Sequence, residues 1–239
     1  MKKLLALLLA MVMVLSLAAC GDDSGSSSKG SSKKDYEKPL ELMMDQANTK
    51  KASEMQAAGI KVLNGLCESE YKDMVKLMQK SEDYDEDDVL ERYEERIDAL
   101  KDEYGSDYKF SYKIEEKEEL EEDDLKDVKN TIKDNAKQLK SVIDEMEEFD
   151  SDEWEYLGEE LGLTKSDTKK ILDIMKSVFE EMKNVEVTEG YELTVTITTT
   201  GSELDEPEED EETICVYKVN GIWVSEESLS MLRSFLYLL

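Results

Sequence analysis

The chain contains no histidine among its 239 residues, and it has few cysteines (3), prolines (2) and aromatic residues (7%). Without histidine it cannot build the Ser-His or Cys-His nucleophile pairs of many hydrolases, and it lacks a common zinc ligand. It also has no glycine-rich phosphate-binding loop. Sixty acidic residues remain for acid-base chemistry, but no carboxylate pair stands out by its spacing. We therefore expect a noncatalytic protein with no catalytic residues, no metal ligands and no cofactor.

Positive charge is also scarce, since 30 Lys and Arg residues face 60 Asp and Glu residues, for a formal net charge of −30. Proteins bind nucleic-acid backbones through basic residues that displace counterions, so this composition argues against nucleic acid as a partner. An anionic membrane surface would be repelled for the same reason. The negative charge could attract cations, basic peptides or a basic protein, but solubility is the simpler explanation.

The long apolar run of the chain lies at its start. Lys2 and Lys3 precede apolar residues 4–17, which lead into Leu17-Ala18-Ala19-Cys20. This run is shorter than the roughly 20 residues that a membrane-spanning helix needs. The pattern predicts a secretory signal peptide over residues 1–19. No second segment of spanning length follows it.

The end of this signal resembles the lipobox of bacterial lipoproteins, in which Cys20 matches the lipidated cysteine. The resemblance implies that Cys20 becomes the mature N-terminus and carries acyl chains, palmitate among them. Two acyl chains suffice for stable anchoring, so we expect a lipid-anchored protein on the extracytoplasmic face of the cell membrane. An ordinary secretory signal with an incidental cysteine is the alternative. Loss of Lys2 and Lys3 with the signal would move the formal charge from −30 to −32.

A flexible linker is predicted after the lipidation site. Residues 21–34 are almost wholly Gly, Ser, Asp and Lys, a composition that buries too little apolar surface to fold. As a flexible coil this stretch would span about 20 Å. We therefore divide the mature chain into Cys20 with its linker (20–34) and a single folded domain (35–239).

Helical spacing dominates the first part of this domain. Apolar residues recur every three or four positions over 40–47, 60–78 and 90–104, so each segment is expected to be one helix. The third helix should end at Gly105. We attribute the methionines in these segments to core packing rather than to a metal or peptide groove. Further helices are predicted over 125–146, 150–162 and 164–182.

Alternating apolar and polar residues predict strands over 108–114, 185–199 and 213–219. In the second strand, the apolar residues from Val185 to Ile197 are expected to share one face. The third strand leads through Asn220-Gly221 into Ile222-Trp223-Val224, the strongest short hairpin signal. The expected fold class is α+β, with an antiparallel sheet packed by helices.

The long helix, the strand over 108–114 and the late hairpin Tyr217-Lys218-Val219-Asn220-Gly221-Ile222-Trp223 together resemble the NTF2-like or cystatin-like domains of many small Gram-positive lipoproteins of unknown function. The resemblance is strongest over 108–114 and 185–226. It implies a curved antiparallel sheet that wraps a helix into a cone, here with an additional helical insertion at about 121–183. It implies no activity, because one fold can carry many functions.

Two acidic segments need separate interpretation. Residues 83–94 place acids at positions 1, 3, 5, 9 and 12 of a calcium-binding loop, but Asp88 occupies position 6, where glycine is required. We favour an acidic helix start, in which carboxylates complement the helix dipole. Residues 203–212 are interpreted as a solvated hairpin loop.

Two interpretations remain for Cys67 and Cys215, and two for the C-terminal tail. The two cysteines could form a disulfide outside the cytoplasm or remain buried thiols. Residues 229–239 are apolar on most sides of a helix and too short to span a bilayer. They could pack on the domain or dock a partner.

The leading hypothesis for function is a membrane-tethered, noncatalytic binding module, whose apolar pocket or sheet face meets a peptide, a protein or a small ligand. A lipoprotein that binds a solute or a cation such as calcium is the first alternative. An NTF2-like enzyme that uses carboxylates is the second.

Overall fold

The structure is a computed structural model that describes residues 35–230. The predicted signal peptide (1–19), Cys20 and the linker up to residue 34 lie outside the described residues. So do residues 231–239 of the apolar tail.

Helices form most of the described chain before the first strand. A 3₁₀ turn at Asp35–Glu37 leads into helices α1 to α4, and Gly105 follows α4 as predicted. Their bounds are Lys38–Ala47 (α1), Ala52–Lys61 (α2), Glu68–Met78 (α3) and Glu86–Tyr104 (α4).

The remaining elements begin with strand β1, after which three helices and three further strands follow. A helical segment over 226–230 closes the described chain. The bounds are Lys109–Glu119 (β1), Glu122–Glu147 (α5), Ser151–Glu160 (α6), Lys165–Met182 (α7), Val187–Thr200 (β2), Glu208–Val219 (β3) and Ile222–Ser225 (β4).

The four strands form one open antiparallel sheet in the order β1-β2-β3-β4. This confirms the predicted α+β class with an antiparallel sheet and several helices. Asn220 and Gly221 have positive φ (50° and 83°), as the predicted two-residue hairpin turn requires. Helices α5 to α7 lie in the connection between β1 and β2, which are neighbours in the sheet.

The sheet has helices on both faces. One face, here called the α1 face, carries Leu193, Val195, Val216 and Trp223, which pack against Tyr36 and Leu40. The opposite face carries Tyr217, Val219 and Val224, which join the large core formed by α3 and α5 to α7. A Cβ at Gly190 would crowd Leu120 and Leu125, so this glycine lets the start of α5 approach β2 closely.

The prediction that Val185 to Ile197 share one face was wrong at its beginning. The β2–β3 register shifts between Val187 and Glu189, which reverses the side on which the following residues point. Val185 and Val187 therefore pack in the large helical core, whereas Leu193 and Val195 lie on the α1 face.

The prediction of one helix over 60–78 was also wrong. The chain turns between α2 and α3, where Asn64, Gly65 and Cys67 all have positive φ (51°, 100° and 48°). The Asn64 side chain donates a hydrogen bond to the backbone oxygen of Trp223 (2.6 Å). The apolar spacing continues across the break because both helices bury residues in the same core, among them Ile60 and Met74.

The acidic stretch 203–212 is only partly a loop, because β3 begins at Glu208. Glu208 pairs with Thr199 and Glu212 with Val195 in the β2–β3 register. The acidic side chains are exposed, so strand formation here needs no buried apolar residue. Backbone pairing with β2 therefore overrides the low strand preference of Glu and Asp.

Three helix starts have the capping interactions that their sequences suggest. Asp85 accepts hydrogen bonds from the backbone N–H groups of Asp87 and Asp88. Asp150 caps α6 in the same way, within a capping box. Thr164 accepts from the backbone of Asp167 (3.2 Å) at the start of α7. The segment proposed as an acidic helix start is thus the beginning of α4.

Candidate functional site

The candidate site is a cavity of about 320 Å³ between helices α1, α2 and α4 and the α1 face of the sheet. We call it the α1–α4 groove. The far halves of β1, β2 and β3 form its floor, away from the Asn220-Gly221 turn. Its lining residues are Met43, Met44, Gln46, Ala47, Met55, Arg96, Leu100, Tyr104, Phe110, Ile197, Thr199, Asp210, Glu212 and Glu227.

Partly exposed apolar side chains form much of this lining. Met43 and Met44 of α1 and Leu100 of α4 face Phe110 and Ile197 of the sheet, and all five are half-buried. Exposed apolar side chains that are rimmed by polar groups are typical of interaction sites. The unbranched methionine side chains can adapt to ligands of different shape. The groove therefore offers an apolar contact surface that the described residues leave open.

The rim of the groove is mainly acidic. Asp210 and Glu212 share the α1 face because they pair with Ile197 and Val195 of β2. Glu227 lies beyond β4, and Arg96 is the basic side chain in the lining. All four charged side chains are exposed. A ligand that combines apolar and cationic groups would fit both the floor and the rim.

Thr199 lies in the groove and is 5% exposed. Its side chain therefore places a hydroxyl group, which can donate and accept a hydrogen bond, in the lining of the groove.

The outer edge of β3 borders the groove. Strand β4 pairs only with Val216–Val219, so no strand of the described chain covers β3 from Glu208 to Ile214. The six residues from Glu208 to Thr213 are all exposed. An uncovered edge presents a row of backbone donors and acceptors to another extended chain.

The hairpin turn determines which residues of β3 face this open edge. Because the turn has two residues, Val219 and Ile222 form a hydrogen-bonded pair, and the backbone groups of Val219 point toward β4. Backbone groups alternate along a strand, so those of the other odd-numbered residues of β3 also point away from β2. Asn220, the residue after Val219, donates its backbone N–H to the backbone oxygen of Glu186 on the β2 side (2.8 Å), which agrees with this alternation. Glu209, Glu211 and Thr213 therefore direct backbone N–H and C=O groups to the open edge.

Hydrogen bonds hold the C-terminal ends of the two helices that form the groove walls. Asn48, which follows α1, donates to and accepts from the backbone of Phe110 (both 2.8 Å). Lys50 donates to the backbone oxygen of Tyr108 (2.6 Å), and burial lowers the pKa of Lys50 to about 8. The backbone carbonyl of Tyr104, at the end of α4, accepts from the backbone N–H of Glu203 (3.2 Å). These contacts fix α1 and α4 against the sheet.

Other candidates from the sequence lie elsewhere. Within residues 35–230, no group of three or more Cys, Asp or Glu residues is arranged to hold a metal ion. Cys67 and Cys215 are free thiols, the first buried and the second half-buried. Burial raises the pKa of the Cys67 thiol. No helix of the described chain is long and apolar enough to cross a membrane.

The chain matches no known protein family, no curated protein and no solved structure in the three comparisons made. The site is therefore interpreted from its geometry alone. The groove could not be predicted from the sequence, because its lining extends from Met43 to Glu227.

Proposed function

We propose that this protein is a noncatalytic binding module, held on the extracytoplasmic face of the cell membrane by lipid on Cys20. The proposed domain type is NTF2-like or cystatin-like, with α5 to α7 as an insertion between its first two strands. Helix α1 against one face of an antiparallel sheet supports this assignment. The linker would let the domain reach partners near the membrane.

The observation that carries the binding proposal is the apolar groove beside an uncovered strand edge. An extended peptide or protein segment added to β3 would form backbone hydrogen bonds with Glu209, Glu211 and Thr213. Alternate side chains of that segment would then lie over the groove. Because the groove combines an apolar floor with Asp210 and Glu212 on its rim, a segment whose groove-facing side chains include both apolar and basic residues fits best.

The lipid anchor has a direct test. We expect Cys20→Ser to abolish incorporation of labelled palmitate, because the thiol is the proposed attachment atom. The measurement is metabolic labelling of the full chain, followed by membrane fractionation. Cys67→Ser serves as the matched control, since Cys67 is buried in the folded domain. Equal labelling of the Cys20→Ser chain and the unaltered chain would overturn the anchor.

The binding proposal is tested at the strand edge. The probe is a blocked heptapeptide, Lys-Lys-Val-Val-Lys-Lys-Val, in which each face of the extended chain carries both lysine and valine. We expect Glu211→Pro to weaken its binding about tenfold more than Glu211→Gln, since both remove one charge but only proline removes the outward N–H. Isothermal titration of the full chain in lipid nanodiscs measures both affinities. Proline is tolerated where an edge N–H faces solvent, so the variant should fold.

A second peptide separates strand pairing from charge attraction. It has the same side chains but carries N-methyl groups on alternate backbone amides, so it cannot pair with a strand edge. We expect this peptide to bind at least tenfold more weakly than its parent. Equal binding of the two peptides, together with equal effects of Glu211→Pro and Glu211→Gln, would show attraction by charge alone and contradict the proposal.

A further inference from the structure

The chain that follows β4 starts beside the α1–α4 groove. Strand β4 runs antiparallel to β3, and its last residue, Ser225, lies opposite Val216. The direction of β4 therefore points the following residues along β3 from Val216 toward Glu208, where no strand of residues 35–230 covers the outer edge. A helical segment begins at residue 226, and Glu227 already lines the groove.

Ser228 shows which side of this helical segment faces the protein. Ser225 caps the segment, since its hydroxyl accepts a hydrogen bond from the backbone N–H of Ser228 (3.1 Å). The Ser228 side chain is fully buried and donates to the backbone oxygen of Val62, the residue after α2 (2.7 Å). Glu226 and Ser230 are exposed. The side that carries Ser228 is therefore the inner side of the segment.

The sequence after Ser230 continues this division into two sides. Residues 231–239, here called the tail segment, lie outside the described residues, but their spacing is that of an amphipathic helix. The residues that would share the side of Ser228 are Met231, Leu232, Phe235 and Leu239. The opposite side would carry Ser230, Arg233, Ser234 and Tyr237. A helix continued from residue 226 would therefore turn its apolar side toward the protein.

Helix lengths match the position of the groove. Met55 of α2 lines the groove and lies seven residues before Val62, so the two are about 10 Å apart along the helix axis. Ser228 is bonded to Val62, and Phe235 lies seven residues after Ser228. A tail helix that runs beside α2 would therefore bring Phe235 to the level of Met55.

We propose that residues 231–239 continue the helix from residue 226 and occupy the α1–α4 groove, with Phe235 among Met44, Met55 and Leu100. The half-buried apolar lining of the groove is then covered by the same chain. A tethered segment acts at an effective concentration in the millimolar range. A second copy of the chain would instead bring a formal charge of −30 against a like charge.

The tail segment is thus an internal competitor for the peptide site. This regulatory role rests on the proposed peptide-binding function. An external peptide must displace the tail before it can use the groove, so its apparent affinity is reduced by the fraction of molecules in which the groove is covered. A chain with a detached tail should bind the peptide more tightly than the unaltered chain.

The first test compares two serine substitutions on opposite sides of the tail segment. The probe is the same heptapeptide, and the full chain is held in lipid nanodiscs. We expect Phe235→Ser to raise the heptapeptide affinity at least tenfold, because it removes the apolar ring that competes for the groove. Tyr237→Ser, the matched control, removes a ring from the outer side and should leave the affinity unchanged. Isothermal titration measures both, and measurable but equal affinities of all three chains would overturn the competition.

A second measurement locates the tail segment without any peptide. The photoreactive residue p-benzoylphenylalanine replaces Phe235 in the full chain, and mass spectrometry identifies the cross-linked positions after irradiation. We expect cross-links within one chain to Met44, Met55 or Leu100. Cross-links to α5, to a second chain or to lipid would each place the tail segment elsewhere and overturn the proposal.

The two measurements separate this inference from the proposed function. If the heptapeptide binds no variant while position 235 cross-links to the groove, the tail segment is a permanent part of the fold and the peptide-binding function fails. If the heptapeptide binds all three chains equally and position 235 cross-links outside the groove, peptide binding stands and the inference about the tail segment fails.

Discussion

Gly201→Ala is expected to destabilise the protein by about 3 kcal/mol, as overpacking at a rigid contact does. A Cβ at Gly201 would overlap the backbone carbonyl of Tyr104, the last residue of α4. That carbonyl accepts a hydrogen bond from the backbone N–H of Glu203, so it cannot move away without losing a partner. The contact joins α4 to the β2–β3 turn, and its loss should also weaken peptide binding in the α1–α4 groove. Urea unfolding of the two chains measures the difference.

Gly221→Ala is the matched control for this prediction. Gly221 has a positive φ (83°), but no atom lies within 4 Å of a Cβ built on it. Alanine there should cost only about 1 kcal/mol, from backbone strain alone. Gly201 has no such φ, so its requirement is for space. Equal losses for the two variants would contradict the steric explanation.

The elements that depend on local chemistry could be predicted from the sequence. The Asn220-Gly221 turn, the end of α4 at Gly105 and the cap at Thr164 are each specified by residues within a few positions. The strand over 185–199 was also recognisable, because its alternation is long. These features have physical causes that do not require knowledge of the rest of the fold.

The features that the sequence did not reveal depend on distant contacts. The turn between α2 and α3 is held by the bond from Asn64 to Trp223, 159 residues away. The register shift after Val187 depends on pairing with β3. Exposed glutamates form part of β3 because they pair with the backbone of β2. The low strand preference of Glu does not predict this. The α1–α4 groove lies between segments far apart in sequence, so it could not be assembled from spacing.

The aromatic cluster beneath α1 shows how one late residue holds the first part of the domain. The Trp223 ring stacks on Tyr191 at 5.4 Å, with an interplanar angle of 13°. Tyr36, just before α1, meets the Trp223 ring edge-on at 6.1 Å and the Tyr191 ring at 5.1 Å. Leu40 of α1 belongs to the same buried cluster. Trp223 is therefore a main contact between the α1 face of the sheet and the helix that forms one wall of the groove.

Trp223→Ala is expected to destabilise the protein by about 3–5 kcal/mol, since removal of a buried tryptophan leaves a large cavity. Tyr156→Ala is the control: Tyr156 is 45% exposed on α6, so its loss should cost less than about 0.5 kcal/mol. Urea unfolding measures both. If the cluster also positions α1, Trp223→Phe should retain most of the stability and heptapeptide affinity that Trp223→Ala loses. Trp223→Leu should retain more of the stability than of the affinity. If Trp223→Leu retains stability and affinity equally, the tryptophan ring fills space without orienting α1.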